Sequence, residues 1–233
     1  RFADIEVLRY KVPDFEKLTP RQKALVYYLT EAAIAGRDIL WDQNGKYNLP
    51  IRQLIENVYT NFSGNKESRQ YKALEKYLKQ IWFGNGIHHH YSMDKFVPEF
   101  DETFLRYEVS KLPADKQPAG LDMLCKVIFD PTVLAKRVNQ AEGEDLIVTS
   151  ANNLYEGVTQ KQVEDYYNAL KDTTVVNPIS YGLNTRVAMI DGKVTEQPYR
   201  IGGLYSDAIV RIVDNLKKAR EYAENGKQAG VID

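Results

Sequence analysis

Histidine is scarce in this 233-residue sequence, and all three copies stand together as His88, His89 and His90. Cysteine is scarcer still, with Cys125 alone, so no internal disulfide can form. Both scarcities limit the chemistry available. Metal ligands must converge on one point, and along a strand only residues i and i+2 share a face. The run can therefore bring at most His88 and His90 together, and a third ligand has to come from elsewhere. No H-E-x-x-H pattern occurs, because each His is followed by His or Tyr. Cys125 has no separate histidine to activate it, and within LDMLCKVIF (121–129) it reads as a small core residue. The expected role of the run is structural or cleft-lining, with imidazoles bonded to backbone beside a Gly-rich turn. A metal-storage or metal-sensing use of the run is the alternative.

An excess of basic charge is also missing. Lys and Arg total 31 against 32 Asp and Glu, for a formal net charge of −1. Nothing here points to nucleic acid or to a basic membrane-surface helix. No apolar run approaches the roughly 20 residues of a membrane span. The sequence begins at Arg1 rather than Met, and the expectation is that the natural N-terminus lies upstream. One cysteine fits the cytosol and an exported, disulfide-free protein equally, so the compartment stays open. Familiar catalytic patterns are absent as well. GNG (84–86) is too short for a phosphate loop, EGED (142–145) reads as a solvated loop, and Ser150 lacks a G-x-S-x-G setting. Residue chemistry alone supplies no complete catalytic set.

Apolar residues, at 43% of the chain, are enough for an unstapled core. The 16 tyrosines suit either half-buried packing or a cleft wall. Thr19-Pro20-Arg21-Gln22 predicts a helix start with a capping box, a stripe of Leu25, Tyr28, Leu29 and Ala32, and an end at Gly36. Asn44-Gly45 marks a turn. Ile51, Leu54, Ile55, Val58, Tyr59 and Phe62 keep helical spacing closely. A third helix is expected from about Ser68 to Phe83, with Tyr71, Leu74, Leu78, Ile81 and Trp82 inward. Further helices are expected from Asp101, from Asp130-Pro131 and from Thr159, where Gln162 completes a second capping box. The period then changes. Leu183, Thr185, Val187 and Met189 alternate, Asp191-Gly192 turns, and Lys193 to Ile201 returns, which predicts a hairpin. A closing helix follows, with Ile209, Ile212, Val213, Leu216 and Ala223 on one face and Asn225-Gly226 at its end. Residues 113–120 read as a surface loop. The fold class is α+β, mainly helical with a small antiparallel β element, and no repeat or linker divides 1–233.

Several long blocks carry a family resemblance: GRDILWDQNGKYN (36–48), WFGNGIHHHYSMDKFVPEF (82–100), IFDPTVLAKRVNQAEGEDLIVTSANNLYEGVTQ (128–160) and SYGLNTRV (180–187). In order, and over essentially the whole chain, they resemble the N-terminal third of bacterial dipeptidyl peptidase III. The resemblance implies a zinc exopeptidase that releases dipeptides from the N-terminus of short peptides, with two lobes around a wide cleft. It implies that residues 1–233 build the lower lobe, with its β-barrel core, and one wall of the cleft. The family's H-E-x-x-G-H, its later glutamate and its E-S-Y-like segment do not occur in this chain. By the resemblance, zinc belongs to the longer protein, this chain has no catalytic or metal residues, and alone it is expected to be inactive. The implied partners are a peptide substrate and the remaining catalytic lobe of the same protein. YSMDKF (91–96) resembles the family's F-G-D-x-K-F block, with Tyr for Phe and one fewer residue before the Lys. That implies substrate binding by Tyr91, with His90 and Phe96 beside it, and structural roles for Asp94 and Lys95. Asn184 and Arg186 match the family's NTR in a barrel hairpin. The alternative reading is a non-catalytic peptide-binding or scaffold module descended from the same lobe.

Overall fold

A computed structural model describes all 233 residues, Arg1–Asp233. Along the chain run α1 (Pro20–Ala35), α2 (Arg37–Asn44), α3 (Asn48–Asn61), α4 (Arg69–Gly84), α5 (Glu102–Ser110), α6 (Leu121–Phe129), β1 (Tyr155–Glu156), α7 (Gln160–Leu170), β2 (Thr185–Ile190), β3 (Lys193–Pro198), α8 (Ser206–Glu221) and α9 (Gly226–Ile232). The result is a mainly helical α+β chain with one small sheet. It divides into two compact units, Arg1–Glu6 with Trp41–Glu196, and Val7–Leu40 with Gln197–Asp233.

In the second unit α1 packs along α8. Thr19 and Gln22 form the expected capping box, with Pro20 in the first turn, which satisfies amide groups the helix itself cannot pair. Leu25 and Ala32 are buried, but Leu29 is exposed. The row that meets α8 continues to Gly36, where a Cβ would stand 3.3 Å from the Ile212 side chain. Apolar residues are spread around α1, with Val26, Tyr27, Leu29 and Ile34 all exposed, so its sequence does not single out the face that packs. Arg21 clamps the far end of α8, donating to the Glu221 carbonyl at 2.8 Å and the Ala223 carbonyl at 2.7 Å. A cation there meets the negative end of the helix dipole. Asn225 begins a helix rather than ending one: its side chain accepts from Gln228 N and caps α9.

In the first unit α3 to α6 enclose the main core. Ile51, Ile55, Leu74, Ile81, Leu105, Cys125 and Val127 are completely excluded from solvent. The α3 stripe falls as its spacing predicts. Trp82 does not point inward; it is 41% exposed, and its Nε1 donates to Glu56 Oε1 at 2.8 Å. Its neighbour Ile81 holds the core-facing position in line with Leu74 and Leu78, and one step along a helix turns the next side chain about 100° away. The helix expected at Asp130-Pro131 is instead α6, which ends there. Asp130 Oδ1 accepts from Thr132 N at 2.9 Å and Thr132 Oγ1 at 2.6 Å, a local turn that competes with helix. Pro131 marks the stop, as proline does after a C-cap.

The sheet has the order β1-β2-β3. Asp191 at φ 49° and Gly192 at φ 75° give the expected turn between β2 and β3 the twist a two-residue hairpin needs. β1 adds a parallel pairing, Tyr155 opposite Val187 and Glu156 opposite Ala188, so the sheet is mixed. Leu183 precedes β2 and is exposed. Val158, Val163 and Val187 form a small second core beside it.

Ile55→Ala should lower stability by about 2–4 kcal/mol, because the side chain is fully buried and the helix backbone cannot collapse around the gap. Denaturant titration checks this; a loss under about 0.5 kcal/mol would contradict the packing.

Candidate functional site

The histidine run sits in a hairpin, 87–96, that leaves the end of α4. Asn85 takes the left-handed conformation at φ 49°, which ends α4. Gly86 follows at φ 148°, and a Cβ there would collide with the Asn48 side chain; only glycine combines that backbone with that neighbour. Asn48 is buried at the start of α3. Its amide donates to the Trp41 carbonyl at 3.1 Å and accepts from Ile87 N at 3.2 Å. The hairpin then closes on itself through Phe96 N to Ile87 O at 2.8 Å and His89 N to Asp94 O at 2.8 Å. A second ladder joins it to 135–137, with Lys95 N to Ala135 O at 3.0 Å and Arg137 N to Met93 O at 2.9 Å.

The three imidazoles diverge. His88 points in and is 2% exposed, with Nε2 2.7 Å from the Leu134 carbonyl. A carbonyl only accepts, so Nε2 carries the proton, and the buried Nδ1 has no partner. Burial pushes the His88 pKa down to about 4; the bond to Leu134 opposes this, while Lys95 and Arg137 add to it. His89 Nδ1 accepts from Tyr91 N at 3.2 Å and Ser92 N at 3.1 Å, which leaves Nε2–H to face Asp4 Oδ2 at 3.2 Å. His90 is exposed, with its ring centroid 4.6 Å from that of His89 and 4.3 Å from that of Tyr91. No group of three or more His, Cys, Asp or Glu stands where it could hold a metal ion.

At the hairpin tip Tyr91 is 83% exposed. Phe96, at the base, is buried in the main core, against Gly84, where a Cβ would come within 3.1 Å of its ring. The three residues suggested by resemblance thus differ in setting: Tyr91 and His90 share one aromatic surface, and Phe96 anchors the hairpin beneath it. Lys95 donates to the Val127 carbonyl at 3.0 Å, to the Val133 carbonyl at 2.6 Å and to the Asp130 carbonyl. The ammonium closes the C-terminal end of α6, and burial lowers its pKa. Asp94 pairs with Lys136 at 2.5 Å, and that bond keeps its carboxyl below the ordinary range.

The other sequence candidates serve architecture. Asp145 of EGED accepts from Ile147 N at 2.9 Å, Val148 N at 3.0 Å and Gln160 N at 3.0 Å, joining its loop to the first turn of α7. Ser150 Oγ accepts from Asn139 N at 2.8 Å and donates to the Leu146 carbonyl at 2.6 Å. Arg186 meets Glu156 at 3.2 Å, and Glu156 also meets Lys46 at 3.0 Å, which ties β1 both to β2 and to the loop between α2 and α3. The Cys125 thiol is buried, and that burial pushes its pKa up; a thiolate nucleophile is not available there. Asn48, Leu134 and Asp4 are the partners that sequence reading does not find, since each is distant along the chain from the hairpin residue it meets, Ile87, His88 and His89 in turn. The Gly-Asn-Gly spacing is the one local sign that a buried group approaches the backbone there.

No family model matches the sequence, and no curated protein matches it. Among solved structures the chain is similar to DPP III from Caldithrix abyssi, with a TM-score of 0.56 and 18% identity over 94% of this chain and 30% of that one. The likeness shows the fold, and the chain spans less than a third of the length of that structure.

Phe96→Ala should cost about 3–5 kcal/mol, and Tyr91→Ala less than about 0.5 kcal/mol. Thermal or denaturant unfolding of the two variants checks the contrast; equal losses would contradict the hairpin's division into anchor and tip.

Proposed function

We propose that this chain is the N-terminal, lower-lobe part of a zinc-dependent dipeptidyl peptidase, and that it forms one wall of the cleft that holds a short peptide. The observation that carries the reading is the fold likeness, which takes in nearly all of this chain and only 30% of the solved DPP III chain. The residues here do not fit zinc. Their imidazoles diverge toward Leu134, toward Asp4 and toward Tyr91, and no carboxylate or thiol completes a ligand set. Polarisation of a peptide carbonyl and activation of water therefore belong to the rest of the protein.

What this chain supplies is binding. Tyr91 offers a free ring face and a hydroxyl on a hairpin fixed by Asn48, Lys95 and Phe96. A ring so placed packs on a peptide side chain while its hydroxyl meets peptide backbone. Because the hairpin is held from below, the ring pays little ordering entropy when a peptide arrives.

Two measurements test the reading. The coding sequence beyond the codon for Asp233 should contain H-E-x-x-G-H, and the whole protein should release dipeptides from a dipeptidyl arylamide in a chelator-sensitive way, while residues 1–233 alone should not. A whole protein with no such motif and no such activity would leave a non-catalytic peptide-binding module. In the whole protein Tyr91→Ala should raise KM by about 3–10-fold, the loss of one aromatic contact, with an unchanged melting temperature. A lowered melting temperature with KM intact would make Tyr91 part of the packing instead.

A further inference from the structure

We propose that the 87–96 hairpin is an acid-sensitive latch, held shut by neutral His88 and loosened when that imidazole gains a second proton. Three features of the geometry support this. His88 is enclosed where the hairpin meets the 134–137 segment, and its single bond runs to the Leu134 carbonyl. Leu134 is held at φ 51° and Met93 at φ 63°, left-handed conformations that non-glycine residues keep only when their surroundings enforce them. Nδ1, which has no partner in the closed state, would become a buried N–H donor with no acceptor.

The charges around the ring act in the same direction. Lys95 faces it from the hairpin and Arg137 from the adjoining segment, and both disfavour a third positive charge; Asp94 is the one carboxylate that favours it. Asp94 is already engaged by Lys136, and Asp4 faces His89 instead. A protonated His88 therefore gains solvation and loses two cationic neighbours if the hairpin opens.

The direction of the pH effect follows from where the proton binds first. The ordinary histidine value is 6.5 and the closed-state value is about 4, so the opened state takes up the proton first as the pH falls. The closed state has its full advantage above pH 6.5 and loses it progressively down to about pH 4. Any effect on peptide binding through Tyr91 rests on the function proposed above. The latch itself does not, and it can be measured with no peptide present.

Amide hydrogen exchange on the whole chain, corrected for intrinsic rates, reads the latch directly. Between neutral pH and about pH 4.5 the amides of His89, Lys95, Phe96 and Arg137 should lose protection by roughly fiftyfold. The amides of Leu78 and Ile81 in α4 should keep theirs. In His88→Gln, which retains a neutral donor for Leu134, the hairpin amides should show no such pH dependence. The same dependence in His88→Gln, or loss in α4 at the same pH, would overturn the proposal. If that variant does not fold, NMR titration of the His88 ring in the unmodified chain decides: an inflection well below 6.5 that tracks hairpin opening supports the latch, and one near 6.5 overturns it.

Discussion

The side chain of Asn48 is the joint on which the histidine region depends. It is buried at the start of α3, between the close approaches of Gly45 and Gly86, and it bonds the end of α2 to the first residue of the hairpin. A buried amide has two donors and an acceptor to satisfy, and failure to do so costs on the order of 1–3 kcal/mol. The partners Asn48 uses are backbone groups of two separate segments, so satisfying one residue fixes where both segments lie. The direction in which the hairpin leaves α4 is settled there, before any histidine makes a contact.

Lys95 is the second joint. Its ammonium gathers the carbonyls of Val127 in the last turn of α6, of the C-cap Asp130 and of Val133 in the turn beyond, where the helix end leaves carbonyls without helical partners. With Asn48 at one end and Lys95 at the other, the hairpin is held by polar contacts at its base, and further out Arg137 holds Met93 while Tyr91 stays exposed. Phe96 adds an apolar anchor. The tip carries Tyr91 and His90 exposed above that anchor. Burial beside that base is what keeps the His88 imidazole neutral, and Lys95 and Arg137 add to it.

Sequence reading reaches the features that rest on nearest neighbours. The capping boxes at Thr19 and Thr159, the α3 stripe and the Asp191-Gly192 turn are each decided within a few residues, and each appears where its spacing puts it. That all three imidazoles could not meet was legible, since only His88 and His90 could share a face; that these two part as well, His88 buried and His90 exposed, was not. Features decided over long range were not. Asp130-Pro131 looks like a helix start because Asp caps and Pro tolerates the first turn, yet there the same pair ends a helix whose carbonyls are taken by Lys95. Asn225-Gly226 reads equally as an end or a start, and the side-chain bond to Gln228 decides. Trp82 and Ile81 compete for one inward position, and only the packing of α4 against α3 selects Ile81. In the candidate site, Phe96 and Tyr91 look alike as aromatics flanking SMDK, and the core beneath the hairpin separates them.

The imidazoles of the histidine run are committed to separate settings, Leu134 for His88, Asp4 for His89 and the Tyr91 ring for His90, and do not act together. Calorimetric titration of zinc into the folded chain tests this most directly. No one-to-one binding in the nanomolar range is expected, because two imidazoles at most could meet a shared ion and no carboxylate or thiolate joins them. Nanomolar one-to-one binding that disappears when His88, His89 and His90 are all replaced by alanine would contradict it.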